Sequence, residues 1–361
     1  MVKKIALMVI MMACGYNIVA WEVISEERGF TLQSVRLSIN IHDGMITGIQ
    51  DKKDEIRYGN NTAMNFPAGI GILRDLNLFR RGHVPWGDPA MKQALPTDFS
   101  LINYFRPCDK SQFHITQSPK QVSAVWKGLS NGTEFLADAE LKMILSEDKN
   151  GALECRINGT YPNGGIFGAV LPLVGLKPEG KLVVPGFGGI FYPADGEPAL
   201  MPFGGAPFME APILLMEQGK KSLALWLEDT DMRSFYGFVR RGKDGCAMAL
   251  EVLTLMPFEE KKSVTTPIFK LDIFNGGWKS AATPLKGWYH TQFKQELAVR
   301  DAVPWVEGIK NIVDIYMHVP DDLVLAKIGQ FFPKESVLFQ NWNARAPRFD
   351  RELPDFLVGL Y

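Results

Sequence analysis

From Phe30 onward apolar residues recur at every second position: Leu32, Val35, Leu37, Ile39 and Ile41 lead to His42-Asp43-Gly44, and Met45, Ile46 and Ile49 follow. Period two on both sides of an Asp-Gly pair predicts a β-hairpin, because that pair tolerates the positive φ angles of a tight turn. The same unit repeats. Residues 121–126 run into Asn131-Gly132, residues 137–145 end at Asp148-Lys149-Asn150-Gly151, and residues 152–161 form a further strand pattern. Strand patterns dominate to about residue 274. Between them lie the turn-rich stretches Pro185-Gly186-Phe187-Gly188-Gly189 and Met201-Pro202-Phe203-Gly204-Gly205-Ala206-Pro207. Neither joins a strand to a helix with the spacing of a nucleotide-binding loop, so they read as long loops of β-structure. Many strands and few helices over 21–274 predict one large two-sheet antiparallel sandwich.

At Asn275-Gly276-Gly277 the period changes. Trp278, Ala281, Ala282, Leu285, Trp288, Tyr289 and Phe293 share one helical face, with Pro284 expected to kink the helix or restart it with Thr283 as cap. An alternating run at 312–317 follows, then a short helix capped by Asp321 or Asp322, then a strand ending in Phe339-Gln340. Helix followed by strand belongs to a different architecture from the sandwich. The organisation expected is a signal peptide at 1–20, the sandwich at 21–274, a helical linker region at 275–333, and the first strand and loop of a truncated β/α barrel at 334–361.

The chain has 361 residues, 46% of them apolar, which is enough for a large core. Its formal net charge of −1, with no basic patch, argues against nucleic acid or an anionic membrane as partner. Lys3-Lys4 and the apolar run 5–13 resemble an export signal and are too short to span a bilayer, so the expected destination is secreted or periplasmic. Anchoring as a lipoprotein through Cys14 is the less favoured alternative. Cys108, Cys155 and Cys246 show no Cys-x-x-Cys spacing, and His42, His83, His114, His290 and His318 form no ligand-spaced pair. No cofactor and no metal centre are expected, although carboxylate ligands for calcium stay open.

Candidate chemistry concentrates near the C-terminal end. Gln340, Trp342 and Asn343 stand at a strand end, with Arg345 and Asp350 after it. Such a site offers an aromatic face for stacking on a sugar ring and several hydrogen-bonding groups, and barrel sites use strand ends and the loops behind them. Packing of the barrel mouth is the alternative role for Trp342. Glu228, Asp229 and Asp231 form the densest acidic cluster, and no nucleophile-elbow spacing surrounds Ser222 or Ser234. Catalytic residues are unassigned from the pattern alone.

Several motifs together carry a resemblance. They are Leu171-Pro172-Leu173-Val174-Gly175-Leu176 with Val184-Pro185-Gly186-Phe187-Gly188-Gly189; the run 223–231; Gly277-Trp278-Lys279-Ser280-Ala281-Ala282 leading to Gly287-Trp288-Tyr289; and Asn341-Trp342 with Phe349-Asp350 and Pro354-Asp355-Phe356. The sequence resembles the N-terminal half of bacterial glycoside-hydrolase-like proteins of unknown function, distantly similar to α-galactosidases and endo-α-N-acetylgalactosaminidases. The resemblance implies a galactose-mutarotase-like supersandwich joined by a helix to a β/α barrel, carbohydrate as the partner, and catalytic carboxylates on later barrel strands. It departs from the pattern at Pro284 and Asn343. The function expected is therefore the non-catalytic N-terminal portion of a glycan-acting protein. The alternative is a self-contained carbohydrate-binding sandwich, or an epimerase- or lyase-like enzyme.

Overall fold

The computed structural model describes residues 21–53, 56–58, 66–73, 102–255 (except 178, 186–188, 197–198, 205–208, 210 and 243–244), 257–295, 311–315, 330, 337–341 and 357–360. Among these residues two large sheets face each other. The first has eleven strands, on the path Glu22–Ser25, Gly29–Gln33, Leu37–His42, Met45–Asp51, Ile166–Leu176, Cys246–Leu253, Phe235–Arg241 and Ala199–Gly204. Ile56–Tyr58 pairs with Met45–Asp51, while Gly69–Leu73 pairs with Ile166–Leu176 and carries Ile102–Phe105 on its far side. Ten strands form the second sheet, centred on Ile213–Gln218, Lys221–Glu228, Ile268–Asn275, Leu153–Thr160, Phe135–Glu147 and Gln121–Ser130.

The fold class is thus mainly β, a two-sheet antiparallel sandwich. Pairing in both sheets is antiparallel except where Ile46 meets Leu173 in parallel. The first hairpin forms where the pattern places it: Leu37–His42 pairs with Met45–Asp51, and Asp43 and Gly44 both take positive φ, 49° and 71°. Two positive φ values in succession give the turn whose twist matches that of the flanking strands.

One contiguous core lies between the sheets. Phe30, Leu32, Ile39, Leu171, Leu173, Met248 and Leu250 come from the first sheet, and Trp126, Met143, Leu145, Leu214, Leu225, Phe269 and Leu271 from the second. Full burial of side chains of this size is worth about 1.5–3 kcal/mol each. Phe30, Phe113 and Trp126 stack as a trio, with ring centroids 6.2 Å apart for Phe30 and Phe113, 5.0 Å for Phe113 and Trp126 and 6.4 Å for Phe30 and Trp126. Trp126 is therefore a packing residue, and Trp226, also buried, packs against Phe274 with ring centroids 6.0 Å apart.

The outer face of the first sheet is also covered. Every residue of Ile166–Leu176 is buried, and Val170, Val174, Phe238, Ala247 and Ala249 form a second cluster facing away from the shared core. Strands buried on both faces lose their alternation, which is why Ile166–Leu176 and Cys246–Leu253 read as nearly continuous apolar runs.

The helix Trp278–Gln292 follows the last sandwich strand and buries Ala281 and Leu285. Of the two outcomes expected at Pro284, a kink or a restart capped by Thr283, the restart does not occur: the helix is continuous, and the Thr283 hydroxyl donates to the Lys279 carbonyl, 2.9 Å away, inside it. The chain separates into two compact units, 1–286 and 287–361. Within the second unit Asn311–Ile315, Val337–Asn341 and Leu357–Leu360 form a parallel three-stranded sheet with Val337–Asn341 in the middle. A strand thus stands in the segment read as linker, and the strand ending in Gln340 and Asn341 has a parallel neighbour on each side. The alternation at 312–317 is too short to separate a strand from a connecting segment, so pairing decides it.

Candidate functional site

Of the residues singled out at the C-terminal end, Gln340 lies in the middle strand of the parallel sheet, opposite Asp314 on one side and Gly359 on the other. Trp342, Asn343, Arg345 and Asp350 lie outside the described residues. In the acidic cluster Glu228 and Asp229 are structural, while Asp231 is exposed. Glu228 accepts from the Trp226 indole at 3.2 Å and pairs with Lys270 at 3.5 Å. Asp229 accepts from the backbone amides of Asp231 and Arg233 and from the Arg233 guanidinium, fixing the turn after the strand. Cys108, Cys155 and Cys246 are free thiols, and burial pushes the Cys246 thiol up to about 12. Among the described residues no group of three or more metal-ligating side chains is placed to hold an ion, and no helix is long and apolar enough to cross a membrane.

The site the sequence reading missed lies on the outer face of the first sheet. Glu251 sits in the otherwise apolar strand Cys246–Leu253 and is fully buried. Its neighbours across the strand ladders are Tyr236 on one side and Val170 on the other. Tyr104 reaches the same carboxyl from Ile102–Phe105, and its hydroxyl donates to Glu251 Oε2 at 2.8 Å. The other oxygen, Oε1, is buried without a hydrogen-bond partner. Room for it comes from two glycines: a Cβ on Gly168 would lie 2.7 Å from Oε1, and one on Gly71 would lie 3.0 Å from it. Gly71 pairs with Gly168 and with Tyr104, so the four residues form one patch across adjacent strands.

Electrostatics follow from that packing. Burial pushes the Glu251 carboxyl up to about 8, with the Tyr104 hydrogen bond pulling the other way. Tyr104 is held well above the usual phenol range, first by burial and then by the Glu251 charge. Tyr236 is raised by the same two causes. A carboxyl that keeps its proton near neutrality, held by a phenol and flanked by rings, can hold or pass a proton and can orient a hydroxyl. Phe167 stacks on Tyr236 at 6.2 Å, and Phe238 meets Tyr104 edge-on at 6.1 Å. One signal in the sequence could have found this site: Glu251 is the lone charge inside the eight-residue run CAMALEVL.

Tyr104 also lines an open cavity of about 990 Å³. Its wall includes Phe66, Asn103, Arg106, Asn131 and Phe135, and the Arg28–Asp43 ion pair closes one side. Outside the lining, His42 Nδ1 lies 3.3 Å from Asp43 Oδ2. Asn131 is fixed by accepting from the Thr133 and Glu134 amides at 3.0 and 2.7 Å.

No protein-family model matches the sequence, and no characterised protein matches it in sequence. Solved structures do match in fold. The α-N-acetylgalactosaminidase NagBb from Bifidobacterium bifidum in complex with GalNAc aligns with a TM-score of 0.51 and 8% identity, over 86% of this chain and 51% of that one. Its Gal-NHAc-DNJ complex gives the same values. A galactose mutarotase-like protein from Lactobacillus casei ATCC 334 aligns over 68% of this chain and all of its own, with a TM-score of 0.38 and 13% identity. The chain spans about half the length of NagBb, and at 8% identity the likeness is one of fold.

Proposed function

We propose that this chain is the sandwich and early-barrel part of an exported, glycoside-hydrolase-like protein that acts on glycans. In this reading the sandwich is a carbohydrate-handling scaffold, and the catalytic carboxylates stand on barrel strands other than the three described. The observation that carries it is the order of architectures among the described residues: an antiparallel sandwich, a helix, then parallel strands, in a chain aligned over 86% of its length with a protein named as an α-N-acetylgalactosaminidase. Parallel pairing needs crossovers of about a dozen residues or more, and the segments 316–336 and 342–356 are long enough to supply them. Gln340, Trp342, Asn343, Arg345 and Asp350 are the sugar contacts assigned to the barrel side.

The test is a pair of assays on the purified chain. Binding to a glycan array is expected above background, with no turnover of aryl α- or β-glycosides, including an aryl α-N-acetylgalactosaminide. Turnover by the chain alone would overturn the placement of the catalytic carboxylates. Background binding to every glycan would overturn the carbohydrate reading itself.

A further inference from the structure

We propose that the cavity beside Tyr104 is a binding site for a neutral pyranose, in which Tyr104 contacts the sugar and Glu251 is the residue that positions it. The proposal takes only its class of ligand from the carbohydrate reading above, and it places the site in the sandwich, independent of the parallel strands.

Three observations converge. First, Tyr104 belongs to both environments: it lines the 990 Å³ cavity, and its hydroxyl proton is committed to Glu251 Oε2 at 2.8 Å. The phenol oxygen therefore offers its lone pairs to whatever enters, which makes it an acceptor for a sugar hydroxyl. Second, the patch is built around the carboxyl. A Cβ at Gly168 would meet both Oε1 and the Val252 carbonyl oxygen at 2.7 Å, and one at Gly71 would lie 3.0 Å from Oε1, so glycine at both positions leaves the carboxyl its space. Third, the carboxyl is not a good structural element by itself. Oε1 is buried with no partner, a feature that costs stability and that native structures keep mainly where the group has a task.

The wall chemistry fits a neutral ring. Phe66, Tyr104 and Phe135 supply apolar faces, while Asn103, Asn131 and Arg106 supply donors and acceptors around them. Arg28 and Asp43 neutralise each other, and the cavity carries cationic as well as anionic side chains, Arg106 and Lys110 against Asp109 and Glu134, so no single ionic charge is selected. Stacking faces with scattered hydrogen-bonding groups are what a pyranose, with one apolar face and a rim of hydroxyls, requires.

Isothermal titration of the full chain with methyl α-galactopyranoside, methyl α-glucopyranoside and N-acetylgalactosamine tests this. At least one should bind, and Tyr104→Phe, which keeps the ring and removes the acceptor, should weaken it by about tenfold. Glu251→Leu should weaken it similarly. Glu251→Gln, whose amide oxygen still accepts from Tyr104, should restore most of the affinity, an outcome that a merely structural role would not produce. If Glu251→Leu does not fold, Tyr104→Phe and Glu251→Gln decide the matter. Binding that Tyr104→Phe leaves unchanged overturns this site alone. Absence of binding by all three sugars overturns the site together with the carbohydrate reading, and tighter binding of cationic galactosamine, titrated as a fourth ligand, than of these three neutral sugars overturns the class of ligand.

Discussion

Lys270 on the second sheet and Glu251 on the first both stand on the face turned away from the shared core, and the two groups are treated in opposite ways. On the second sheet Lys270 meets Asp148 at 2.9 Å, Glu154 at 3.2 Å and Glu228 at 3.5 Å, tying three strands and a turn to one ammonium. Burial disfavours the charge at Lys270, yet the three carboxylates outweigh it and hold its pKa up; at Asp148 the same balance leaves the carboxyl below its usual range. On the first sheet Glu251 has Tyr104 for one oxygen and nothing for the other. The contrast teaches how to separate support from function. Lys270 is an answered charge that belongs to the framework, whereas Glu251 is a buried carboxyl answered at one oxygen only, beside a cavity.

Substitutions should pull the two sites apart. Lys270→Met leaves three carboxylates facing each other without a cation, and should lower unfolding free energy by about 3–5 kcal/mol in denaturant titration. Glu251→Leu should do the reverse, raising stability by about 1–3 kcal/mol, because an apolar side chain replaces a carboxyl with an unmet oxygen. Tyr104→Phe removes the carboxyl's one partner, and should cost about 1–2 kcal/mol while pushing the Glu251 pKa higher still. Arg233→Ala frees the Asp229 turn and should cost about 1 kcal/mol or less, since that arginine is partly exposed. Equal signs for Lys270→Met and Glu251→Leu would erase the distinction.

Legibility in the sequence followed the same line. The hairpin through Asp43-Gly44 and the strands at 121–126, 137–145 and 152–161 alternate because one face meets the core and the other is less buried, so period two is visible. The runs Ile166–Leu176 and Cys246–Leu253 are covered on both faces and carry no alternation to show which side is which. Glu251 was overlooked for that reason: one carboxylate in an apolar run says that a special environment exists, and only strand pairing brings Tyr104, from 147 positions away, to its side. The acidic cluster at 228–231 drew attention through density, yet local turn and cross-strand partners absorb Glu228 and Asp229. Charge density in a sequence reports on solvation and turns; an isolated charge among apolar neighbours reports on a site.

Burial holds Glu251 in its protonated form near neutrality in the folded protein, against the pull of the Tyr104 hydrogen bond. Its carboxyl is pushed up to about 8 when folded, whereas in the unfolded chain it ionises at about 4.3. Between those values the folded state binds the extra proton, so this group's contribution to stability falls as pH rises, with the penalty absent below about 4.3 and complete above about 8. The decisive measurement is unfolding free energy from pH 4 to 9 for the wild type and for Glu251→Gln, which cannot titrate. The account predicts that the wild type loses stability relative to the variant through this window, with a slope approaching 1.4 kcal/mol per pH unit at its steepest. Curves that stay parallel across the window would contradict it.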